Sequence, residues 1–297
     1  MELIERLPEG IEYLINEPMS RHTTFRTGGP ADLMLLPSSL QELCETLSLL
    51  RSEGVKPFIL GNGSNLLVSD KGIRGVVVKI GAGLDGMIAD GDRVICGSGA
   101  FLTRLCGFAA ENSLTGAEAL YGIPGTVGGA VYMNAGAYGS EIKDILVSAD
   151  YIESDGTFGT LHGTEGYGYR RSPFTDGDRI ITSAVFAFKR GDRAKIEAKM
   201  EDIKSRRAEK QPLNFPSAGS VFKRPEGYFA AALIEQSGLK GTTVGGAQVS
   251  EKHAGFIVNT GGATTGDILS LIGIVREKVL KDSGVLLETE VRFIGEE

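Results

Sequence analysis

The sequence has few residues of the kinds that form disulfides or bind metal ions. Its three cysteines (Cys44, Cys96 and Cys106) form no CxxC pair, and its three histidines are scattered along the chain. An odd number of unpaired cysteines is typical of a reducing compartment. Because the histidines lie far apart, no zinc-type cluster is expected, and each is interpreted as satisfied by its neighbours. The predicted metal content is therefore none.

The sequence also lacks an excess of positive charge and a targeting segment. Lys and Arg number 31 against 38 Asp and Glu, a net charge of −7, which argues against nucleic-acid or anionic-membrane partners. The start, MELIERLPEG, has acidic residues where a signal peptide needs a basic and then an apolar stretch. The uncharged stretch 119–140 is interrupted by six glycines, one proline and one asparagine, so it does not predict a membrane span. We expect a cytoplasmic protein.

The length of 297 residues favours two domains, and 41% hydrophobic against 23% charged residues excludes a disordered chain. The pattern changes near residues 190–195, where alternating strands and helices give way to a charged helix and a second α+β region. Helices are predicted at 38–53, 102–112, 192–210, 229–237 and 264–282. Strands are predicted at 31–37, 57–61, 75–80, 93–99, 145–154, 179–190, 256–260 and 286–294.

Glycine is the residue in excess, with 42 copies, about twice its average share of ~7%. Two clusters stand out, GNGSN (61–65) and GIPGTVGGAVYMNAGAYG (122–139). Backbone N–H groups in such segments can form a nest that binds pyrophosphate. Neither cluster has a P-loop lysine, and GAGLDG (81–86) leaves no room for the helix of a Rossmann turn. Together the two clusters favour a bulky cofactor that contains phosphate.

Polar residues converge on three other segments: YGYRRSPF (167–174), PSAGSVFKRP (216–225) and LLETEVRFI (286–294). In the second, small residues precede Ser220 and leave its hydroxyl uncrowded. In the third, alternation predicts a strand with Glu288 and Glu290 on one side, opposite Leu287, Thr289 and Val291. Solvent-facing charges would explain that strand equally well. Ser220 to Lys223 also fits the SxxK pattern of serine acyl-enzymes, a weak rival because its SDN and KTG partners are absent.

Eight phrases in order give the chain a strong resemblance to a known family. They are RTGGPAD (26–32), GNGSNLL (61–67), GIPGTVGGAVYMNAGAYG (122–139), YRRSPF (169–174), AGSVFKRP (218–225), LIEQSGLKG (233–241), GGAQVSEKHAGFIVNTGGAT (245–264) and LLETEVRFIG (286–295). The chain resembles the UDP-N-acetylenolpyruvoylglucosamine reductases over nearly its whole length. No tyrosine loop of the longer subclass is recognisable, so the resemblance is to the shorter subclass.

The resemblance implies an α+β fold. Residues 1–190 would form a vanillyl-alcohol-oxidase-type FAD-binding region of two α/β lobes, and residues 191–297 an α+β substrate-binding domain whose last strand can pack back on the first lobe. It also implies an NADPH-dependent flavoenzyme with non-covalent FAD, which reduces UDP-N-acetylglucosamine enolpyruvate to UDP-N-acetylmuramate for peptidoglycan synthesis. A monomer is expected.

The resemblance assigns roles to individual residues. Ser220 would donate a proton, with Arg170 and Glu290 as catalytic partners, and Lys210 and Arg224 would contact substrate, although some members carry Asn in place of Arg224. The implied cofactor contacts are Gly61, Asn62, Gly63, Ser64, Asn65, Ile123, Pro124, Gly125, Thr126, Gly128, Gly129, Asn134, Gly136 and Ala137. Two alternatives stay open: an FAD-dependent oxidase of the same fold, and a nucleotide-sugar binding protein without catalysis.

Overall fold

The computed structural model describes residues 2–296. Its α-helices are α1 (Glu2–Glu5), α2 (Leu40–Ser52), α3 (Leu102–Glu111), α4 (Val127–Met133), α5 (Arg193–Lys210), α6 (Ala230–Gln236) and α7 (Thr265–Ser283), and its 3-10 helices are Met19–Arg21, Ala82–Leu84, Glu118–Leu120 and Ile142–Asp144. Its strands are β1 (Glu12–Pro18), β2 (Pro30–Leu36), β3 (Phe58–Leu60), β4 (Leu66–Val68), β5 (Ile73–Lys79), β6 (Met87–Asp90), β7 (Arg93–Gly97), β8 (Leu114–Thr115), β9 (Gly136–Ala137), β10 (Ser140–Glu141), β11 (Leu146–Ile152), β12 (Phe158–His162), β13 (Ile180–Ala187), β14 (Lys189–Arg190), β15 (Thr243–Val244), β16 (Ala247–Val249), β17 (Ile257–Asn259) and β18 (Arg292–Ile294). None of these helices is long and apolar enough to cross a membrane.

The chain forms two compact units, each built from separated segments. The first unit comprises Met1–Leu14, Leu33–Asn62 and Gly75–Ser205, and the second comprises Ile15–Asp32, Gly63–Arg74 and Arg206–Glu297. Two early segments therefore belong with the C-terminal part of the chain. The division into domains at residues 190–191 stays a prediction.

In the first unit, α2 packs against side chains of β2 and β5, two strands of a sheet whose order is β1-β2-β5-β3. Leu43, Leu47 and Leu50 recur at helical spacing and are buried with side chains of β2 and β5. The helix begins after Ser39, whose hydroxyl accepts a hydrogen bond from the Glu42 N–H at 3.1 Å. Periodicity and a capping residue thus explain why this segment is helical.

The first unit also contains an antiparallel sheet of order β12-β11-β13-β7-β6. Its core side chains form one cluster with α3 and α4, in which Phe174 and Phe186 are fully buried. Helix α4 begins after Thr126, whose hydroxyl accepts a hydrogen bond from the Gly129 N–H at 3.3 Å, and ends at Asn134 in the left-handed conformation (φ 44°). This short helix fixes the course of the second glycine cluster.

The second unit packs α6 and α7 with the sheet β15-β16-β17 and the parallel pair β18-β4. Its core includes Phe25 and Leu67 from the two early segments, and full burial of such side chains contributes about 1.5–3 kcal/mol each. Asp70 accepts hydrogen bonds from the N–H groups of Thr265 (2.8 Å) and Gly266 (2.9 Å). A residue distant in sequence therefore caps α7 at its first turn.

Most of the predicted elements are confirmed. The predicted helices correspond to α2, α3, α5, α6 and α7, and the predicted strands before residue 286 correspond to β2, β3, β5, β7, β11, β13 and β17.

The strand predicted over 286–294 is wrong over residues 286–291. Only Arg292–Ile294 forms a strand, and before it Thr289 makes a single bridge to Phe222. Leu287 is buried whereas Thr289 is exposed, so the two do not share an environment as alternation requires. The physical reason is that this backbone bonds to an irregular segment around Phe222, which offers no continuous ladder.

A buried carboxylate in the first unit makes stability depend on pH. Glu118 is 3% exposed; it accepts hydrogen bonds from the Thr115 hydroxyl and the Gly116 N–H (3.0 Å), and Lys199 Nζ lies 3.5 Å away. Burial alone would raise the pKa of Glu118, but these hydrogen bonds and the lysine outweigh it and hold the pKa below its usual value. The stabilisation is therefore present above the unfolded-state pKa and is lost as pH falls through the lower folded-state pKa.

We expect Glu118→Gln to lower the free energy of unfolding at pH 7 by about 1.5–3 kcal/mol, the range for hydrogen bonds to charged groups. The difference in unfolding free energy between variant and parent should shrink in acid, below about pH 4.3. There the carboxylate of the parent becomes protonated and its stabilising interactions weaken. Urea unfolding at pH 7 and below about pH 4.3 measures this difference in unfolding free energy, and the exposed Glu111→Gln is the control. A difference independent of pH would contradict the assignment.

Candidate active site

Ser220 and Glu290 are brought together within the second unit. Ser220 forms an antiparallel bridge with Phe256, and the Val221 N–H donates to the Gly255 carbonyl at 2.9 Å. The Glu290 N–H donates to the carbonyl of Val221 at 2.7 Å. The segment that carries Ser220 therefore lies next to the segment that carries Glu290, although they are far apart in sequence.

The hydroxyl of Ser220 stands in a space that a glycine leaves open. A Cβ at Gly255 would lie 3.1 Å from Ser220 Oγ and 3.1 Å from Cε1 of His253. Ser220 is half-buried, and within residues 2–296 its hydroxyl has no hydrogen-bond partner. Its position after Gly219, which has φ +76°, keeps the approach uncrowded. The hydroxyl is thus available to a bound molecule.

His253 is a neighbour of Ser220 that the sequence analysis sets aside as one of three scattered histidines. Its Nδ1 accepts a hydrogen bond from the Gly255 N–H at 3.2 Å, and its ring packs edge-on against Phe256. Burial lowers the pKa of His253, which favours the neutral ring. The local signal was the glycine two residues after the histidine, which lets the ring approach the backbone.

Asn65, a predicted cofactor contact, makes two hydrogen bonds to the backbone around Glu290. Its Nδ2 donates to the Glu290 carbonyl at 3.1 Å, and its own carbonyl accepts from the Arg292 N–H at 3.0 Å. The first glycine cluster therefore positions the last segment of the second unit. Any contact of Asn65 with a cofactor stays a prediction.

Arg170 belongs to the first unit, so the three predicted catalytic residues are distributed over both units. It lies in a turn closed by hydrogen bonds in both directions between Gly168 and Arg171, and it adopts φ +55°. Its Nη2 donates to the carbonyl of Gly136 at 3.0 Å, and its guanidinium carbon lies 4.9 Å from the ring centre of Tyr169. The half-buried guanidinium is therefore oriented by its surroundings.

The two glycine clusters meet within the first unit. The side-chain amide of Asn62 donates to the carbonyl of Pro124. A Cβ at Gly61 would lie 2.5 Å from the hydroxyl oxygen of Thr126, so only glycine allows this approach. Ile123 is half-buried beside Pro124, and Gly125 is buried. Gly61 and Asn62 of the first cluster thus contact the second cluster directly.

Gly128 and Gly129, adjacent in α4, differ in their surroundings. A Cβ at Gly128 would lie 2.9 Å from Cβ of Ser98, so the protein itself fills that side. Gly129 is exposed, and its nearest neighbour would be the Thr126 hydroxyl at 3.4 Å, an ordinary contact. The surface at Gly129 is therefore open.

These features fit a phosphate-bearing cofactor such as FAD. Among residues 2–296, the backbone N–H groups of the loop 62–65 have no protein acceptor, and unpaired N–H groups attract phosphate. The open surface at Gly129, in the first unit, likewise carries no bulky side chain. Gly63 and Ser64 belong to the second unit, and the left-handed Gly63 (φ +60°) packs against the backbone of His22.

Asn134 requires a correction, because its side chain is not available to a cofactor. It is fully buried, and its Nδ2 donates to the Gly168 carbonyl (2.8 Å) and to Glu141 Oε2 (3.1 Å), while its Oδ1 accepts from the Lys143 N–H (3.0 Å). These bonds use the full donor capacity of the amide. The side chain therefore contacts protein and not cofactor.

Gly136 and Ala137 form strand β9, which pairs with β10. A Cβ at Gly136 would lie 2.6 Å from the carbonyl oxygen of Ser140, so this hairpin is tight. The Gly136 carbonyl is the group that orients Arg170.

The two predicted substrate contacts are exposed in the second unit. Lys210 ends α5, and residues 211–215 after it help line a cavity of about 570 Å³. The guanidinium of Arg224 stacks on the ring of Phe229 at 4.0 Å from its centre, and its Nε donates to the Tyr228 carbonyl at 3.4 Å. No hydrogen bond or ion pair within residues 2–296 joins Lys210 to Ser220 or Glu290.

Comparisons with known proteins agree with this architecture. The sequence profile of an FAD binding domain matches residues 31–162, and that of the UDP-N-acetylenolpyruvoylglucosamine reductase C-terminal domain matches residues 211–294. A UDP-N-acetylenolpyruvoylglucosamine reductase of Clostridium botulinum is 51% identical over 285 residues, covering 96% of this chain and 93% of the relative. One of Caldanaerobacter subterraneus is 49% identical over 296 residues, covering 99% and 97%.

Comparison with solved structures points to the same family and fold. The crystal structure of the reductase from Thermus caldophilus matches with a TM-score of 0.81 and 34% identity, covering 95% of this chain and 98% of that one. Phl p 4.0202, a glucose dehydrogenase, shares the fold alone: TM-score 0.50, 13% identity, 64% of this chain and 44% of that one. The predicted α+β fold with a vanillyl-alcohol-oxidase-type FAD-binding part is confirmed. The reductases of Clostridium botulinum and Caldanaerobacter subterraneus share about half of their residues with this chain over nearly its whole length. The chain therefore belongs to the UDP-N-acetylenolpyruvoylglucosamine reductase family.

Proposed function

We propose that this chain is an FAD-dependent reductase that uses NADPH to convert UDP-N-acetylglucosamine enolpyruvate into UDP-N-acetylmuramate, a peptidoglycan precursor needed for cell-wall formation. The observation that carries the proposal is the adjacency of Ser220 and Glu290 in a chain of this family. Bound FAD supplies the hydride, which originates from NADPH.

Residues of this chain would handle the charge and the proton. Hydride addition to the terminal carbon of the enolpyruvyl group leaves negative charge at C2, shared with the carboxylate. The Arg170 guanidinium can hold that carboxylate by paired hydrogen bonds, which strengthen as the charge develops. The free hydroxyl of Ser220 would then donate its proton to C2, and Glu290 would orient the substrate.

The other assignments extend the same proposal. Lys210 and Arg224, both exposed cations, would bind anionic groups of the substrate. Residues 1–190 would bind FAD and residues 191–297 the nucleotide sugar. We also propose that the protein acts in the cytoplasm as a monomer.

Anaerobic spectroscopy tests the proposal. The purified protein should be yellow, NADPH should bleach its flavin, and the enolpyruvyl nucleotide should restore the colour. Recovery with oxygen but not with the nucleotide would favour the oxidase alternative. A colourless protein that binds the nucleotide would favour the non-catalytic alternative.

The open surface at Gly129, which we propose to be part of the FAD-binding cradle, gives a separate prediction. Gly129→Val should lower FAD affinity by at least about tenfold, because the branched side chain would enter the open space at the cradle, and a factor of ten corresponds to only about 1.4 kcal/mol. Flavin fluorescence titration of the apoprotein measures the affinity. Gly107→Val, at a helical glycine with open space around its Cβ, is the matched control. Full affinity in the Gly129 variant would place the cofactor elsewhere. Gly128→Val is less informative because its side chain would collide with Ser98.

A further inference from the structure

The turn that carries Arg170 is held by a hydrogen bond from one buried side-chain amide, that of Asn134. Asn134 ends α4 and is fully buried, and its Nδ2 donates to the carbonyl of Gly168, which opens the turn. The same amide is fixed on its other sides by Glu141 and by the N–H of Lys143. Asn134 therefore ties the Arg170 turn to a rigid frame.

The Arg170 guanidinium is fixed from the same frame. It donates to the Gly136 carbonyl, and Gly136 pairs with Glu141 in the β9-β10 hairpin. Glu141 is the residue that accepts from Asn134. One network thus holds both ends of Arg170: its backbone through Gly168 and its side chain through Gly136.

The backbone of Arg170 makes such an anchor necessary. Its φ of +55° is a conformation that residues other than glycine rarely adopt, and it persists only where the surroundings enforce it. A turn released from its anchor would relax toward ordinary angles and shift the guanidinium. A displacement of about 1 Å in a reacting group can cost about 10²-fold in rate.

We propose that Asn134 is a positioning residue for the reduction of the substrate, acting through Arg170 by holding the carbonyl of Gly168. The inference rests on the proposed function, in which Arg170 binds the substrate carboxylate. It replaces the cofactor contact predicted for this residue.

The test is a double-mutant cycle between positions 134 and 170. Asn134→Gly keeps the left-handed backbone at no cost and removes the side-chain bonds. In a flavin-loaded protein, we expect it to slow oxidation of the reduced enzyme by substrate by about 10–100-fold, with reduction by NADPH within several-fold of the parent. In an Arg170→Ala background, the same change should slow the oxidative step by less than about threefold, because coupled residues are not additive.

Two further variants complete the design. Asn134→Asp keeps the size and the acceptor for the Lys143 N–H but loses the donor to Gly168, and it should show the same selective slowing if the glycine variant does not fold. Asn16→Gly is the control, since Asn16 is exposed, has φ +53° and makes no side-chain hydrogen bond within residues 2–296; it should change neither step.

The outcomes distinguish the inference from the function on which it rests. If Arg170→Ala alone leaves the oxidative step unchanged, the proposed role of Arg170 fails. If that variant is slow but the effects at positions 134 and 170 multiply, Asn134 does not act through Arg170 and the inference is overturned. Loss of flavin, or equal slowing of both steps, in the variants at position 134 would also overturn it.

Discussion

Ser220→Ala is expected to slow oxidation of the reduced enzyme by the enolpyruvyl substrate by about 10²–10⁴-fold, the usual worth of a positioned general acid. Reduction of the flavin by NADPH needs no proton at C2 of the substrate, so its rate should stay within several-fold. The change removes one oxygen from a half-buried site without a protein hydrogen bond in residues 2–296, so the fold should be preserved. Stopped-flow absorbance of the flavin measures each step.

Two variants make the Ser220 experiment specific. Ser220→Cys should recover part of the rate, because a thiol also donates a proton. Ser217→Ala, in the same loop and also half-buried, should leave both steps unchanged. Equal slowing of both steps by Ser220→Ala would instead indicate a positional role, and an unaffected oxidative step would remove Ser220 from the mechanism.

Arg170→Ala should slow the same oxidative step by about 10²–10³-fold, the typical cost of removing one donor to developing negative charge. Arg170→Lys should fall between the two, since lysine keeps the charge but lacks the planar pair of donors. Alanine and lysine must both adopt the left-handed backbone conformation of Arg170. A difference in rate between the two variants therefore comes from the side chain and not from the backbone. Single-turnover oxidation by substrate is the measurement.

The neighbouring arginine provides the control. Arg171 is exposed and pairs with Asp176 at 2.6 Å, so Arg171→Ala should have little effect on either step. If that variant is as slow as the one at position 170, the positive charge of the segment matters and the placement of Arg170 does not.

The sequence predicts those elements whose signals are local. Helices α2 and α7 have apolar residues at helical spacing and a capping hydroxyl, at Ser39 and Thr264, so pattern and structure agree. The segment 286–291 has an equally clear alternation, yet it is not a regular strand, because its pairing depends on the shape of a distant segment around Phe222. The alternation within a segment carries no information about the backbone shape of the distant segment with which it pairs.

The site shows the same limit. Nothing in the spacing of Ser220 and Glu290 indicates that they adjoin, and only the family resemblance made them partners. The buried bonds of Asn134 and the position of His253 beside Ser220 also depend on contacts between segments. Glycine-rich composition did predict the backbone N–H groups of the loop 62–65 that have no acceptor among residues 2–296, because unpaired N–H groups are a property of the backbone itself.

The discontinuous second unit makes activity depend on residues that are synthesised more than two hundred positions apart. Asn65 bonds to a carbonyl 225 positions later, and β4 pairs with β18 close to the C-terminus. The ribosome releases residues 63–74 long before their partners exist, and such long-range pairing is slow to form. The arrangement around Glu290 therefore cannot assemble before residues 290–294 have been synthesised. A premature stop codon at or before position 292 would remove β18 and, with it, a strand that this arrangement needs.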